Sequence, residues 1–182
     1  MEKVERLKRE LAYEGTILKV YKDYVRTPDG HEAVWDFIHH DGAAAVVPVM
    51  DDGRLLLVRQ YRNALDRFTL ELPAGKLDAP GEPGIECAAR ELEEETGYRS
   101  DDLTLLIKVN ATIAFCNEWV EIYLARNLQP SHQHLDEGED IEIEAWAVED
   151  LLTLIREQKI TDAKTMAGIM AYRTFCAETA GE

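Results

Sequence analysis

The chain has 182 residues, 46% of them apolar, and a formal net charge of −16, enough for one domain with a full core and a small appendage. That acidity argues against nucleic acid as partner, because phosphate backbones need basic surfaces. The charged start MEKVERLKRE and the lack of any run approaching a membrane span argue against a leader or a membrane anchor, and three scattered cysteines (Cys87, Cys116, Cys176) fit a reducing cytoplasm better than a disulfide framework or zinc site.

In chain order, residues 14–41 read as an N-terminal β region. EGTILKVYKDYVRT and HEAVWDFIHH alternate in hydrophobicity and are joined by the turn signal Pro28-Asp29-Gly30. AAAVVPVM then predicts a buried strand, Asp51-Asp52-Gly53 a tight turn and RLLLVRQYR the returning strand. Thr69 to Pro73 predicts a short strand, followed by a glycine loop and a helix. Residues 103–109, 119–125 and 141–147 read as further strands. Glu149 to Glu157 and Asp162 to Cys176 read as two closing helices, the second capped by Thr161 or Asp162. Strands on both sides of one helix, with helices returning at the end, predict an α/β sandwich around a mixed sheet. The expected division is an N-terminal β region over 1–41 and a main domain over 42–182.

Chemistry concentrates in residues 75–98, GKLDAPGEPGIECAARELEEETGY. Ile85, Ala88, Ala89, Leu92 and Thr96 fall at helical spacing, so one face can pack. At ~100° per residue, Glu91, Glu94 and Glu95 share one side, with Glu95 one turn beyond Glu91. Like charges at that spacing repel, and a divalent cation among them turns the repulsion into attraction. Hard oxygen donors of this kind suit Mg²⁺, with Mn²⁺ as a substitute. Gly97 is placed to end the helix as a left-handed C-cap. A solvated acidic helix face is the alternative for the glutamates taken singly.

The order of residues resembles the signature of the Nudix hydrolase family. Glu82, Arg90, Glu91, Leu92, Glu94, Glu95 and Gly97 match it at the family's spacing, and Tyr98 takes the last apolar place. Gly75 stands six residues before Glu82 instead of five, an insertion that falls in the Asp-Ala-Pro-Gly turn. Arg59-Gln60-Tyr61-Arg62, Glu71-Leu72-Pro73-Ala74-Gly75-Lys76, Phe115-Cys116-Asn117-Glu118 and Asp162-Ala163-Lys164-Thr165 resemble the ADP-ribose pyrophosphatase branch. That resemblance implies an α/β/α sandwich and Mg²⁺-dependent hydrolysis of ADP-ribose to AMP and ribose 5-phosphate. It also implies a homodimer in which the N-terminal strands swap and complete the pocket, with a monomeric β appendage as the alternative.

The resemblance also implies roles. Glu91 and Glu95 are the first metal ligands, then Glu94, with the Ala74 carbonyl as an additional one; Glu82 adds a ligand or fixes the loop. Arg90 pairs with these carboxylates and orients them. Arg62 is the phosphate clamp, since a guanidinium offers bidentate geometry to phosphate oxygens. Trp35 and Asp36 match an aromatic that stacks on adenine and an acid that accepts from its amine, although a tryptophan in an alternating strand is also an ordinary core residue. For the general base, Glu137 and Glu139 both lie in the acidic loop Leu135–Asp140, where Gly138 gives freedom, and Glu137 is preferred. Glu118 is a candidate for substrate binding, a further metal or the base. His132 and His134 receive no role. Thr112-Ile113-Ala114 replaces the Ser-Pro-Gly common before Phe-x-Asn-Glu in this branch, which keeps other nucleoside-diphosphate sugars, such as a GDP-hexose, open. A non-catalytic nucleotide-sugar sensor is a third reading.

Overall fold

The computed structural model describes every residue except Pro80, Asp136 and 177–182. The chain divides into two units, Met1–Gly42 with Asn110–Trp119, and Ala43–Val109 with the residues from Val120 onward. In the first unit, β1 (Glu5–Glu14), β2 (Lys19–Arg26) and β3 (Glu32–His39) form an antiparallel meander. The turn between β2 and β3 closes by hydrogen bonds between Thr27 and His31 and from Gly30 to Thr27, with Gly30 at φ +87°. β1 precedes the strands read in sequence, which begin at Glu14, and is hidden there by its charges. Those charges are met across the strands: Arg9 forks onto Asp23 at 2.6 and 2.5 Å and covers the Phe37 ring at 3.6 Å, while Glu10 accepts from Tyr24. Opposite charges on facing positions suit a strand with a solvated face. The 110–119 segment joins β3 through Ile38 N–H to the Phe115 carbonyl, and the Asn117 amide brackets the His40 backbone.

The second unit runs β4 (Ala43–Pro48), β5 (Leu55–Arg62), β6 (Arg67–Glu71), β7 (Ala74–Lys76), α1 (Gly84–Thr96), β8 (Tyr98–Arg99), β9 (Asp102–Asn110), β10 (Trp119–Arg126), β11 (Gln129–Pro130), β12 (Ile141–Trp146), α2 (Val148–Arg156) and α3 (Ala163–Cys176). One sheet has the order β7-β4-β10-β9, with β4 parallel to β10 and antiparallel to β7, and a second has the order β12-β5-β6. Among the described residues, β8 pairs only with β11. The predicted strands and helices are present within a few residues of their expected bounds; β7, β8 and β11, of two or three residues each, are additions too short to leave a periodic signal.

β4 explains the layering. Its unbroken apolar run is buried throughout, as expected of a strand covered on both faces. Ala45 and Val47 pack with Leu57, Leu72, Ile122 and Ile169, while Ala44 and Val46 pack with Cys87, Ala88 and Leu92 of α1. The sheet is therefore sandwiched between α1 and the closing helices. Asp162 caps α3, accepting from the Thr165 N–H at 3.0 Å. Ala88, Leu92 and Thr96 of the expected apolar face of α1 are buried, but Ile85 is 43% exposed, and the buried face extends to Cys87, Glu91 and Glu95. The backbone before the helix covers the two carboxylates and turns that face inward.

Candidate active site

Helix α1 ends on Gly97 at φ +67°, whose N–H reaches the Glu93 carbonyl, as the left-handed cap requires. One turn apart near that end, Glu91 and Glu95 are only 9% and 5% exposed. Strand β7 lies directly on them. The Ala74 N–H donates to Glu95 Oε2 at 3.0 Å, and a Cβ on Gly75 would meet Glu91 Oε1 at 1.9 Å. Only a glycine lets this backbone approach so closely.

Two buried carboxylates this close resist ionisation. Burial is the main cause that lifts Glu91 to about 7; Arg90 opposes it, and the charges of Glu94 and Glu139 add to it. Burial likewise lifts Glu95 to about 8, against the Ala74 hydrogen bond and the Arg62 charge and reinforced by Glu91 and Glu139. Arg90 supplies a charge beside Glu91: its Nη1 donates to Glu91 Oε1 at 2.7 Å and Glu94 Oε2 at 2.9 Å, and its Nη2 to the Lys76 carbonyl. Glu82 accepts from the Asp78 N–H and stands 3.8 Å from Arg90 Nε, so it ties the loop that carries the extra residue. Cys87 is pushed up to about 12 by burial and the Glu91 charge, which makes it a packing residue and not a nucleophile.

Among the described residues no three His, Cys, Asp or Glu side chains are gathered around a single point as a metal cage. The donor chemistry nevertheless fits a hard divalent cation: two buried carboxylates that lack full charge compensation, a third on the same side, and an adjoining backbone. Binding there would displace protons from Glu91 and Glu95.

Arg62, the expected phosphate clamp, is held within the protein. Its Nε and Nη2 fork onto Glu71 at 2.8 and 2.9 Å. Lys164 Nζ also donates to Glu71, and Asp162 holds Lys164 at 2.9 Å. Burial works against the Glu71 charge, but Arg62 and Lys164 prevail and hold its carboxyl at about 2. Glu71 and Lys164 lie within the resembled patches without an expected role, with Asp162 expected only as a helix cap. The signal was an acid inside the apolar run Thr-Leu-Glu-Leu.

The segment after β11 is fastened to the end of α1. Ser131 N–H donates to the Gly97 carbonyl, His134 N–H to Glu94, and the Gln133 carboxamide to Glu95. Beyond it lie Glu137 and Glu139, both exposed; Asp136 of the same loop falls outside the described residues. Glu139 is close enough for its charge to raise both helix carboxylates. Pro80, in the turn with the extra residue, also falls outside them.

In the first unit, Trp35 is 48% exposed and so is not a core residue of this chain. It lines a cavity of about 770 Å³ with Asp36, Val34, Ile38 and Phe115. Glu118 lies 3.8 Å from His40 Nε2 in the same unit.

Comparison with known proteins bears on this arrangement. The NUDIX domain model matches residues 39–169. The chain belongs to the NUDIX domain family. Nudix hydrolases generally depend on a divalent cation, in keeping with the oxygen donors of α1. Among Nudix relatives, it is 36% identical to the ADP-ribose pyrophosphatase of Bacillus subtilis (strain 168) over 163 residues, 88% of each chain. It is 32% identical to the methanol dehydrogenase activator of Bacillus methanolicus, over 90% of this chain and 89% of that one. A crystal structure described as an ADP compounds hydrolase shares the Nudix fold with a TM-score of 0.89 at 25% identity, covering 98% of this chain and 97% of its own. No helix among the described residues is long and apolar enough to cross a membrane.

Proposed function

We propose that this Nudix protein hydrolyses the pyrophosphate of ADP-ribose to AMP and ribose 5-phosphate with Mg²⁺, Mn²⁺ serving as a substitute. The observation that carries the reading is the pair of buried carboxylates, Glu91 and Glu95, held under the Ala74–Gly75 backbone. The full-length likeness to an ADP-ribose pyrophosphatase supports the substrate. Bound Mg²⁺ would neutralise diphosphate charge and lower the pKa of a water. Glu91, Glu95 and the Ala74 carbonyl are the assigned ligands, with Glu94 next. Glu82 fixes the loop, and Arg90 holds Glu91 and Glu94 in orientation. As the water oxygen bonds to phosphorus, the bridging P–O bond breaks, and a loop carboxylate takes the water's proton. Glu139 is the better base than Glu137, because its charge is felt at both ligands. Arg62 contacts the diphosphate.

Trp35 and Asp36 form a nucleobase site in the first unit, and Glu118 is held for substrate contact. The meander β1–β3 with its exposed Leu7, Leu11 and Tyr13 is the surface of a homodimer. That Cys87, Cys116 and Cys176 form no disulfide among the described residues accords with the cytoplasm as location.

A second reading keeps the chemistry and exchanges the sugar. It is favoured by Ile113, which is 85% exposed next to Phe115 where the branch usually carries proline. Release of AMP from ADP-ribose, compared with ADP-glucose, GDP-mannose and diadenosine polyphosphates, decides between them. Glu95→Gln should cost two or more orders of magnitude in kcat while leaving the fold intact, as expected when a metal ligand is lost. Wild-type rates from the mutant would remove Glu95 from the metal site.

A further inference from the structure

Glu71 occupies the end of a buried strand, where an apolar side chain would be ordinary, and is 4% exposed. A carboxylate there is costly unless charges and hydrogen bonds meet it. Three groups do: Arg62 through two parallel bonds, Lys164 Nζ at 2.5 Å and Thr69 Oγ1 at 2.6 Å. Asp162, the cap of α3, accepts from Lys164 in turn. Next in the chain, the Leu72 N–H donates to Thr165 Oγ1 at 2.9 Å. The same few residues thus fasten α3 to the segment that leads into Ala74.

We propose that Glu71, backed by Lys164, is a positioning residue for the phosphate site: it commits the Nε–Nη2 edge of Arg62 to the protein and leaves Nη1 for the diphosphate. This rests on the reading of Arg62 given above. Arg62 is the right residue to be held, since its side chain is 39% exposed and its charge reaches Glu95. A long side chain free to wander loses rotamer freedom on gripping substrate, and prior fixation removes that cost. Glu71 acts through Arg62 and touches no substrate.

A double-mutant cycle separates this role from simple support of α3. With ADP-ribose and Mg²⁺, Glu71→Gln should lower kcat/KM about tenfold, and Arg62→Ala at least as much. In the Arg62→Ala background, Glu71→Gln should change kcat/KM by less than about twofold. Equal losses in both backgrounds would mean that Glu71 only supports the fold and would overturn the inference. Should Glu71→Gln fail to fold, Lys164→Gln replaces it, with an expected loss of about threefold that again vanishes without Arg62. If wild-type protein leaves ADP-ribose intact, the cycle is read from the calorimetric Kd for ADP with Mg²⁺. The substrate assignment then fails alone, and the positioning role stands or falls on the coupling. No ADP binding by wild-type protein would overturn the inference as well.

Discussion

Glu91 and Glu95 bind their protons far more tightly than free carboxylates do, and this makes stability and metal affinity depend on pH in a defined direction. Their folded values, about 7 and about 8, lie above the ordinary 4.5. An acid raised in this way contributes stability that is fully present below the unfolded value and is lost as pH rises through the folded one. Without metal, the melting temperature should therefore fall between about pH 5 and 9. With Glu91 and Glu95 as the proposed ligands, Mg²⁺ would bind only their ionised form, so its stabilising shift should grow over the same range. A shift that stays flat or shrinks as pH rises, measured by calorimetry, would refute the assignment of these two ligands. Glu71 works in the opposite sense. Its carboxyl is held at about 2, so its stabilisation is present above 4.5 and fades as pH falls towards 2, on the order of 3 kcal/mol in all.

At the level of elements, the short connection after α1 matters as much as the helix. Gly97 is left-handed, and a Cβ there would also come within 3.1 Å of the Gln133 backbone nitrogen. Gly97→Ala should destabilise the protein by about 1–2 kcal/mol and lower its melting temperature by several degrees. An unchanged melting curve would contradict the cap geometry. Much at this scale was readable in the sequence. The fully apolar AAAVVP could only be a strand covered on both sides, and the Glu91–Glu95 spacing fixed which carboxylates share a turn. Three things were not legible. β1 carries charges that are neutralised only by partners on β2. Glu91 is buried beside the expected apolar face because backbone at Gly75, 16 residues earlier, covers it, while Ile85 is left exposed. Arg62 and Glu71 are single charges nine positions apart; β5–β6 pairing sets Arg62 opposite Arg67 and Glu71 opposite Val58, and the long Arg62 side chain reaches back along the strand to Glu71.

Taken as a whole chain, the net charge of −16 would repel a diphosphate were it not for added cations and a few arginines. The two units invite a test of the proposed assembly. Leu7, Leu11 and Tyr13 are exposed on a three-stranded sheet, an arrangement expected to seek another surface. Light scattering should give twice the mass of one chain, and Leu11→Glu should shift the protein towards monomer with loss of ADP-ribose turnover. A wild-type monomer with full activity would remove the dimer from the mechanism.

The fastening of Ser131, Gln133 and His134 onto the last carbonyls of α1 has a mechanical outcome. Glu139, the base of the proposed reaction, follows a segment tied to the same helix that bears Glu91 and Glu95. If that base and those ligands act as proposed, a shift of α1 on cation binding would be passed to the base, so ligation and deprotonation would be geared together instead of being tuned by separate parts of the scaffold.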